Sequence, residues 1–334
     1  MIPRTELLWQ WQKSMSEAVT DPVDLIQRLG LDATLIPEAK KAANKFSLRV
    51  PSRYVGLMKR GDLTDPLLRQ VLPIDSELTR QDGFSDDPVG DVNAIAESGL
   101  LHKYHGRALL ITTGACAIHC RFCFRRNFPY SDYLADSAHW HNIVAYIESH
   151  TELDEVILSG GDPLMMSDQR LSNLIQAMAK IDHVKRLRIH SRMPVVLPER
   201  ITPPLLQLFA ESRLKIILVM HANHPNEVVD DLAEAAKQLT EVGVTLLNQS
   251  VLLKGVNDTA SLLTELSERL FSIGVLPYYL HLLDRAQGTA HFEVSEEAAM
   301  QIYRQLLGRL PGYLVPRMVR EIEGAISKEA LNKL

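Results

Sequence analysis

Three cysteines, Cys116, Cys120 and Cys123, lie within eight residues in ACAIHCRFCFRR, and no others occur in the 334-residue chain. A disulfide scaffold would spread an even number along the sequence, so this cluster reads as one chemical device in a reducing compartment. Thiolates at this spacing are metal ligands. Structural zinc wants four donors, and His119, His102 and His105 are close enough in sequence to complete a Cys3His site. An iron–sulfur cubane is the other reading: held by three thiolates, it leaves one iron open to a small molecule. Further polar candidates are Ser159-Gly160-Gly161-Asp162, His190 with Arg192, His221 with His224, Asn248 with Gln249, and Asp284.

Each of these follows a short apolar run. The runs are 108–113, 155–159, 186–190, 215–220, 244–250 and 275–282, with helix-length stretches at 139–150, 167–181, 226–242 and 258–272 between them. Asn226 and Asp258 are candidate N-caps, and Gly243 and Gly274 sit where helices should stop. Continuous apolar runs alternating with helices predict a buried parallel sheet. Six such units suit an α/β fold of the incomplete TIM-like (β/α)6 kind, with a doubly wound open sheet as the competitor. In a parallel barrel the polar residues after the runs converge on one rim.

Residues 1–105 have a different texture. They begin helix-like, pass through a segment punctuated by Pro51, Gly56, Gly61, Pro66 and Pro73, and reach the polar turn cluster DGFSDDPVGD at 82–91. The expected organisation is a helical, loop-rich N-terminal layer (1–105), a partial barrel (106–312) and a C-terminal strand and tail (313–334).

A formal charge of −5 argues against gripping a nucleic-acid backbone. The apolar runs fall well short of the roughly 20 residues of a membrane helix, and the N-terminal stretch does not read as a signal peptide, so cytoplasm is the expected location.

Cys-x3-Cys-x2-Cys after the first barrel strand resembles the radical SAM family, whose open iron binds the amino and carboxylate groups of S-adenosylmethionine (SAM). The resemblance implies a [4Fe–4S] cluster on Cys116, Cys120 and Cys123. It also gives Ser159, Gly160, Gly161 and Asp162 the role of a glycine-rich SAM-contacting segment, whose glycines would leave amide donors free. The strings CRFCFRR, LSGGDPL, HSRMPVVLPERIT, HANHPNE, NQSVLLKGVND and PYYLHLLD occur in the order seen in the lysine 2,3-aminomutases, from about residue 90 to the C-terminus. The chain's length and its opening WQWQKSMSEAVTDPVDLIQRLGL look more like the subgroup serving elongation factor P.

That likeness implies a second cofactor, pyridoxal phosphate (PLP), because a 1,2-nitrogen shift needs an imine through which nitrogen can bridge both carbons. PLP in turn needs a lysine. Aligning IEGAISK (322–328) with the family segment gives Lys328 that role, although Ala325, Ile326 and Ser327 replace a run of glycines. Lys333 is its rival. By the same carry-over Arg107 approaches the cofactor phosphate. Lys103 stands where some relatives have a second arginine. Gln249 lines the cofactor pocket, and Arg192 is a further cofactor-pocket candidate. Arg125 pairs with the substrate carboxylate, Asp284 holds the substrate ε-ammonium, and Glu321 replaces a second family aspartate.

The implied activity is that of an isomerase converting free L-α-lysine to (R)-β-lysine. SAM is cleaved with one electron from a reductase or flavodoxin-type donor, and a separate lysyl ligase attaches the product to elongation factor P. The alternatives are a catabolic or other-substrate 2,3-aminomutase, or a non-catalytic metal-binding assembly module of the same pathway.

Overall fold

The computed structural model describes residues 4–135 and 139–331. Their strands form a single sheet in which every strand lies beside its successor in sequence. The order is β1 (Ile95–Glu97), β2 (Leu100–Tyr104), β3 (Arg107–Thr113), β4 (Glu155–Gly160), β5 (Arg186–Ser191), β6 (Lys215–Met220), β7 (Thr245–Val251), β8 (Leu276–His281), β9 (Arg317–Arg320) and β10 (Glu329–Ala330). From β3 to β9 all neighbours are parallel. A doubly wound sheet would reverse its order at a switch point, and none occurs. Single winding with helical crossovers is the construction of an incomplete TIM-like barrel.

The six expected runs are the strands β3 to β8. The central strands form because they are largely apolar, β4 being buried at its four central positions and β6 at four of six, while β5 and β7 alternate buried with more exposed residues. The expected helices appear as Trp140–Ser149, Asp168–Ala179, Asp230–Glu241 and Ala260–Ser272. Gly243 (φ +84°) and Gly274 (φ +79°) take the left-handed conformation just past the last two. Two N-caps differ from expectation. Thr259, not Asp258, caps the helix at Ala260, its Oγ1 accepting from Leu262 N at 3.3 Å. Asn226 is drawn into a short turn, Pro225–Glu227, that Pro225 initiates, so the next helix starts four residues later at Asp230.

Strands β1 and β2 have no counterpart among the sequence expectations. They form a hairpin that reverses at Gly99 (φ +86°), and β2 turns again at Gly106 (φ +77°) to pair antiparallel with β3. The helical N-terminal residues Trp11, Leu25, Ile26, Tyr54, Leu67 and Leu68 belong to the same buried core as Val156, Leu158, Leu187 and Leu218 of the sheet. They therefore pack continuously against the barrel. No helix among the described residues is long and apolar enough to cross a membrane.

Candidate active site

Side chains two apart along a strand share a face. Ile157 and Ser159, Arg188 and His190, Gln249 and Val251, and Tyr279 and His281 all line one cavity of about 270 Å³ inside the curl of the sheet. The loops after the strands complete it with Cys116, Cys120, Cys123, Arg125, Gly160, Gly161, Asp162, Arg192, His221 and Asp284. Lys103, Tyr104 and Arg107 come from the β2–β3 hairpin, Glu321 and Lys328 from the C-terminal segment. All fifteen residues expected from sequence to bind metal, cofactor or substrate thus face one space.

The cysteine loop is seated from outside. Its backbone donates from His119 N to Arg49 O and from Arg121 N to Gln70 O, both at 2.9 Å. The His119 ring, one possible fourth zinc ligand, instead bonds Ser47 O at 2.9 Å and stacks on Phe46. His102 bonds Tyr146 Oη at 2.9 Å, and His105 is exposed. Three thiols, with no imidazole among these joining them, remain directed to the cavity, which suits a cluster with an open iron better than a closed four-ligand zinc site. Arg192 donates from Nη1 to Cys120 Sγ at 2.8 Å, and its Nη2 is held by Gln70, Glu227 and Tyr54.

The glycine pair also serves the packing of the cysteine loop. A Cβ at Gly160 (φ +113°) would lie 2.7 Å from Thr113 O, and one at Gly161 would strike Ala115 O. Gly161 N donates to Thr113 O at 2.6 Å and Asp162 N to Ala115 O at 2.8 Å. Those two amides are therefore not free for a ligand. They dock the start of the cysteine loop, and only glycine permits that approach. The Asp162 carboxylate is likewise occupied, accepting from Leu164 N, Ser191 Oγ, Arg192 N and Met193 N.

A chain of alternating charges crosses the cavity. Arg125 donates from Nη1 to Ser159 Oγ at 2.9 Å and from Nε to Asp91 at 2.6 Å. Asp91 also pairs with Lys103 at 2.6 Å. Lys103 pairs with Glu321 at 3.2 Å and donates to Val89 O at 2.7 Å. Glu321 ends the chain on Lys328. Burial alone would raise Glu321, but Lys328 and Lys103 outweigh it and hold its carboxyl at about 2. Lys103 has three N–H groups and three partners, so this lysine does not offer an unused point charge to a phosphate.

Four polar groups stand outside that chain. Arg107 makes no ion pair among the described residues and lies 4.8 Å from the centre of the Tyr104 ring. Gln249 has no side-chain hydrogen bond among the described residues. His190 Nε2 is buried without a partner. Asp284 has no ion pair among the described residues, and burial, reinforced by Glu321 and Asp91, raises its carboxyl to about 7. An unpaired arginine, an unpaired amide and a lysine in one cavity fit a phosphorylated, lysine-bound cofactor. An unpaired buried carboxylate fits a cation.

His190, His221 and His281 are all kept neutral, chiefly by burial. His224 instead caps the Pro225–Glu227 turn through Nδ1. Sequence reasoning missed Asp91, Glu227, His281 and Tyr130, which lines the cavity and donates from its hydroxyl to Gly160 O at 2.7 Å. The alternation in PYYLHL could have flagged His281; nothing local distinguishes Asp91 from the acids around it.

Residues 110–261 match the Radical SAM superfamily. The chain is 50% identical over 323 residues to "L-lysine 2,3-aminomutase" of Escherichia coli (strain K12), covering 96% of this chain and 94% of that one. It is 47% identical to the protein of the same name from Haemophilus influenzae, covering 95% and 94%. With that from Clostridium subterminale it shares 34% identity, covering 96% of this chain but 76% of the relative. Among solved structures, a radical SAM methyltransferase from Sphaerobacter thermophilus superposes with a TM-score of 0.46 at 19% identity, over 66% and 68% of the two chains.

Proposed function

The chain belongs to the lysine 2,3-aminomutase family of radical SAM enzymes, and from that premise we propose that it isomerises free L-α-lysine to (R)-β-lysine, with a [4Fe–4S] cluster, SAM and PLP as cofactors. We further propose that the product is destined for attachment to elongation factor P by a separate lysyl ligase, and that the enzyme works in the cytoplasm with a reductase or flavodoxin-type electron donor.

The observation that carries the reading is the pairing of opposite vacancies around Lys328. Arg125 keeps Nη2 without a hydrogen-bond partner among the described residues, which suits a substrate carboxylate. Asp284 is an acid with no ion pair among the described residues, which suits the ε-ammonium of lysine and repels the side chain of glutamate. Cys116, Cys120 and Cys123 would hold the cluster, Lys328 would anchor PLP, Arg107 would meet its phosphate and Gln249 would line its pocket. When bound, the cluster and SAM supply a carbon-centred radical, and PLP supplies a conjugated ring over which an unpaired electron spreads. The protein's own residues bind, orient and shield. Once Lys328 is engaged elsewhere, Glu321 loses one of its two cationic partners and joins Asp284 in attracting the substrate ammonium. The link to elongation factor P is supported by length: the Escherichia coli and Haemophilus relatives are matched over 94% of their chains, the clostridial one over 76%.

Anaerobic reconstitution with iron, sulfide, PLP, SAM, a reductant and lysine should yield β-lysine, resolved by chiral chromatography. A cluster-replete sample that produces neither β-lysine nor cleaved SAM overturns the proposal. The pathway step is read from intact masses: elongation factor P should gain a β-lysyl group only in cells that contain this chain.

Asp284 makes a separate pH prediction. With Lys328 free, burial together with Glu321 and Asp91 raises its carboxyl to about 7, and Lys328 and Lys103 oppose that rise. A protonated acid cannot pair with an ammonium, so lysine binding releases a proton and tightens with rising pH, over an interval above about 7 once Lys328 is tied to PLP and no longer opposes the rise. KM for lysine should fall across that interval and then level. In Asp284→Asn the step should vanish and KM should rise about 10- to 100-fold, as for loss of one partner of a buried pair. An unchanged pH profile in the variant would remove Asp284 from the ammonium site.

A further inference from the structure

The turn cluster at 82–91 contributes a residue to the cavity that nothing in the sequence distinguishes. Asp91 is 2% exposed and touches two cations at once, Arg125 through Oδ2 and Lys103 through Oδ1, each at 2.6 Å. Its own backbone is fixed: Asp91 N and Val92 N both donate at 2.9 Å to the Asp87 carboxylate, which closes the turn beneath it. Gly90, at φ +64°, leaves room for the Glu323 side chain, which accepts from Asn93 Nδ2 at 2.7 Å. The turn is thereby tied to the same C-terminal segment that carries Glu321 and Lys328.

We propose that Asp91 is the positioning residue that sets both ends of the lysine pocket in register, aiming Arg125 at the carboxylate and, through Lys103, Glu321 at the ammonium end. The proposal rests on the reading of Arg125 and Glu321 given above. An arginine held only at Ser159 could swing about that one bond; a second anchor at Nε fixes the plane of the guanidinium and leaves Nη2 as the edge for a ligand. A lysine ammonium is a point charge with no preferred direction of its own. Lys103 is therefore located by the acids around it, and Asp91 and Glu321 hold it between them. Asp91 itself meets no reacting atom in this arrangement, since both its oxygens face these two cations.

The test uses the reconstituted holoenzyme under anaerobic conditions and follows the change in PLP absorption on titration with three probes. These are lysine, lysinamide (which lacks the carboxylate) and norleucine (which lacks the ε-ammonium). In Asp91→Asn, Arg125 keeps Ser159 and Lys103 keeps Glu321 and Val89 O, so iron and PLP content should stay at the parent level. Lysine should bind about 10- to 100-fold more weakly, as expected when a buried charge pair loses one partner. Its penalty should exceed that on either truncated probe by at least about threefold, because only lysine uses both ends. Asp91→Glu keeps the charge one methylene further out, and its lysine penalty should fall between parent and Asn variant.

Equal penalties on all three probes, or a fall in cofactor content that tracks them, would show a merely structural carboxylate and overturn the proposal. If the parent enzyme itself fails to prefer lysine over lysinamide and norleucine, the underlying reading of the pocket fails. If the parent prefers lysine and the Asn variant keeps that preference undiminished, only the role of Asp91 fails.

Discussion

Lys328→Ala should lower β-lysine formation at least about 10³-fold, the scale on which enzymes lose rate when a residue acting as one unit with its partners is removed. The same variant should lose the visible absorption of covalently held PLP and keep its iron. These outcomes separate because of where Lys328 sits: its ion pair is to Glu321, seven residues away on the C-terminal segment, and no bond runs from it to the cysteine loop. Loss of its positive charge should also push Asp284 further up, since Lys328 is one of the groups holding that carboxyl down. Lys328→Arg sharpens the test. A guanidinium keeps the pair with Glu321 but cannot form the imine, so stability should be retained and activity should not. Lys333 lies outside the described residues; Lys333→Ala should leave absorption, iron and product unchanged. If that variant loses the PLP band instead, the attachment point moves there. Spectra before and after borohydride reduction, followed by peptide mass mapping, decide between the two lysines.

The sheet was legible because its strands are short, largely apolar runs alternating with helix-length stretches, and the rim was legible because polar residues directly follow those runs. Residues whose identity is set by a distant partner were not legible. Asp91 reads as one more acid in a polar turn until β2 and the C-terminal segment bring Lys103 and Glu321 beside it, more than 200 positions apart in sequence. The glycines of SGGD were visible as glycines, but their purpose depends on how closely Thr113 and Ala115 approach, which the run itself does not encode. The helix caps failed for a local reason: Pro225 starts a tighter turn that consumes Asn226, and Thr259 offers a hydroxyl one residue closer to the helix than Asp258. The β1–β2 hairpin was obscured because its strands are short and half-buried, with little alternation to mark them. A non-catalytic assembly module is set aside by near full-length relatives named for an isomerase activity.

Glu77→Ala should strip the protein of its cluster while leaving all three cysteines in place. Glu77 belongs to the N-terminal layer and is 2% exposed. It accepts from Arg121 through both oxygens and from Arg126 Nη2 at 2.7 Å. Arg121 and Arg126 bracket Cys123, and both guanidiniums lie over the Phe46 ring at under 5 Å. The residues on either side of the metal-ligating thiols are thus held by one buried carboxylate some forty positions upstream. Removing it leaves two arginines without their anion in a site closed to water, a change that costs about 3–5 kcal/mol when a buried pair is broken. Arg121 would still reach Phe46 O at 2.8 Å and Arg126 the Gly288 carbonyl at 2.9 Å, so the fold should survive with a loosened loop. The measurements are the denaturation midpoint and the iron-to-protein ratio after anaerobic reconstitution, and both should fall. Glu77→Gln, which keeps one hydrogen-bonding oxygen without the charge, should lie between. PLP content should change little, because Lys328, Arg107 and Gln249 make no contact with this anchor. Full iron loading in Glu77→Ala would mean that the backbone bonds to Arg49 and Gln70 suffice to shape the loop. The expected loss instead makes the N-terminal layer part of the metal site: three thiols become a cluster site only where an outer wall fixes their spacing.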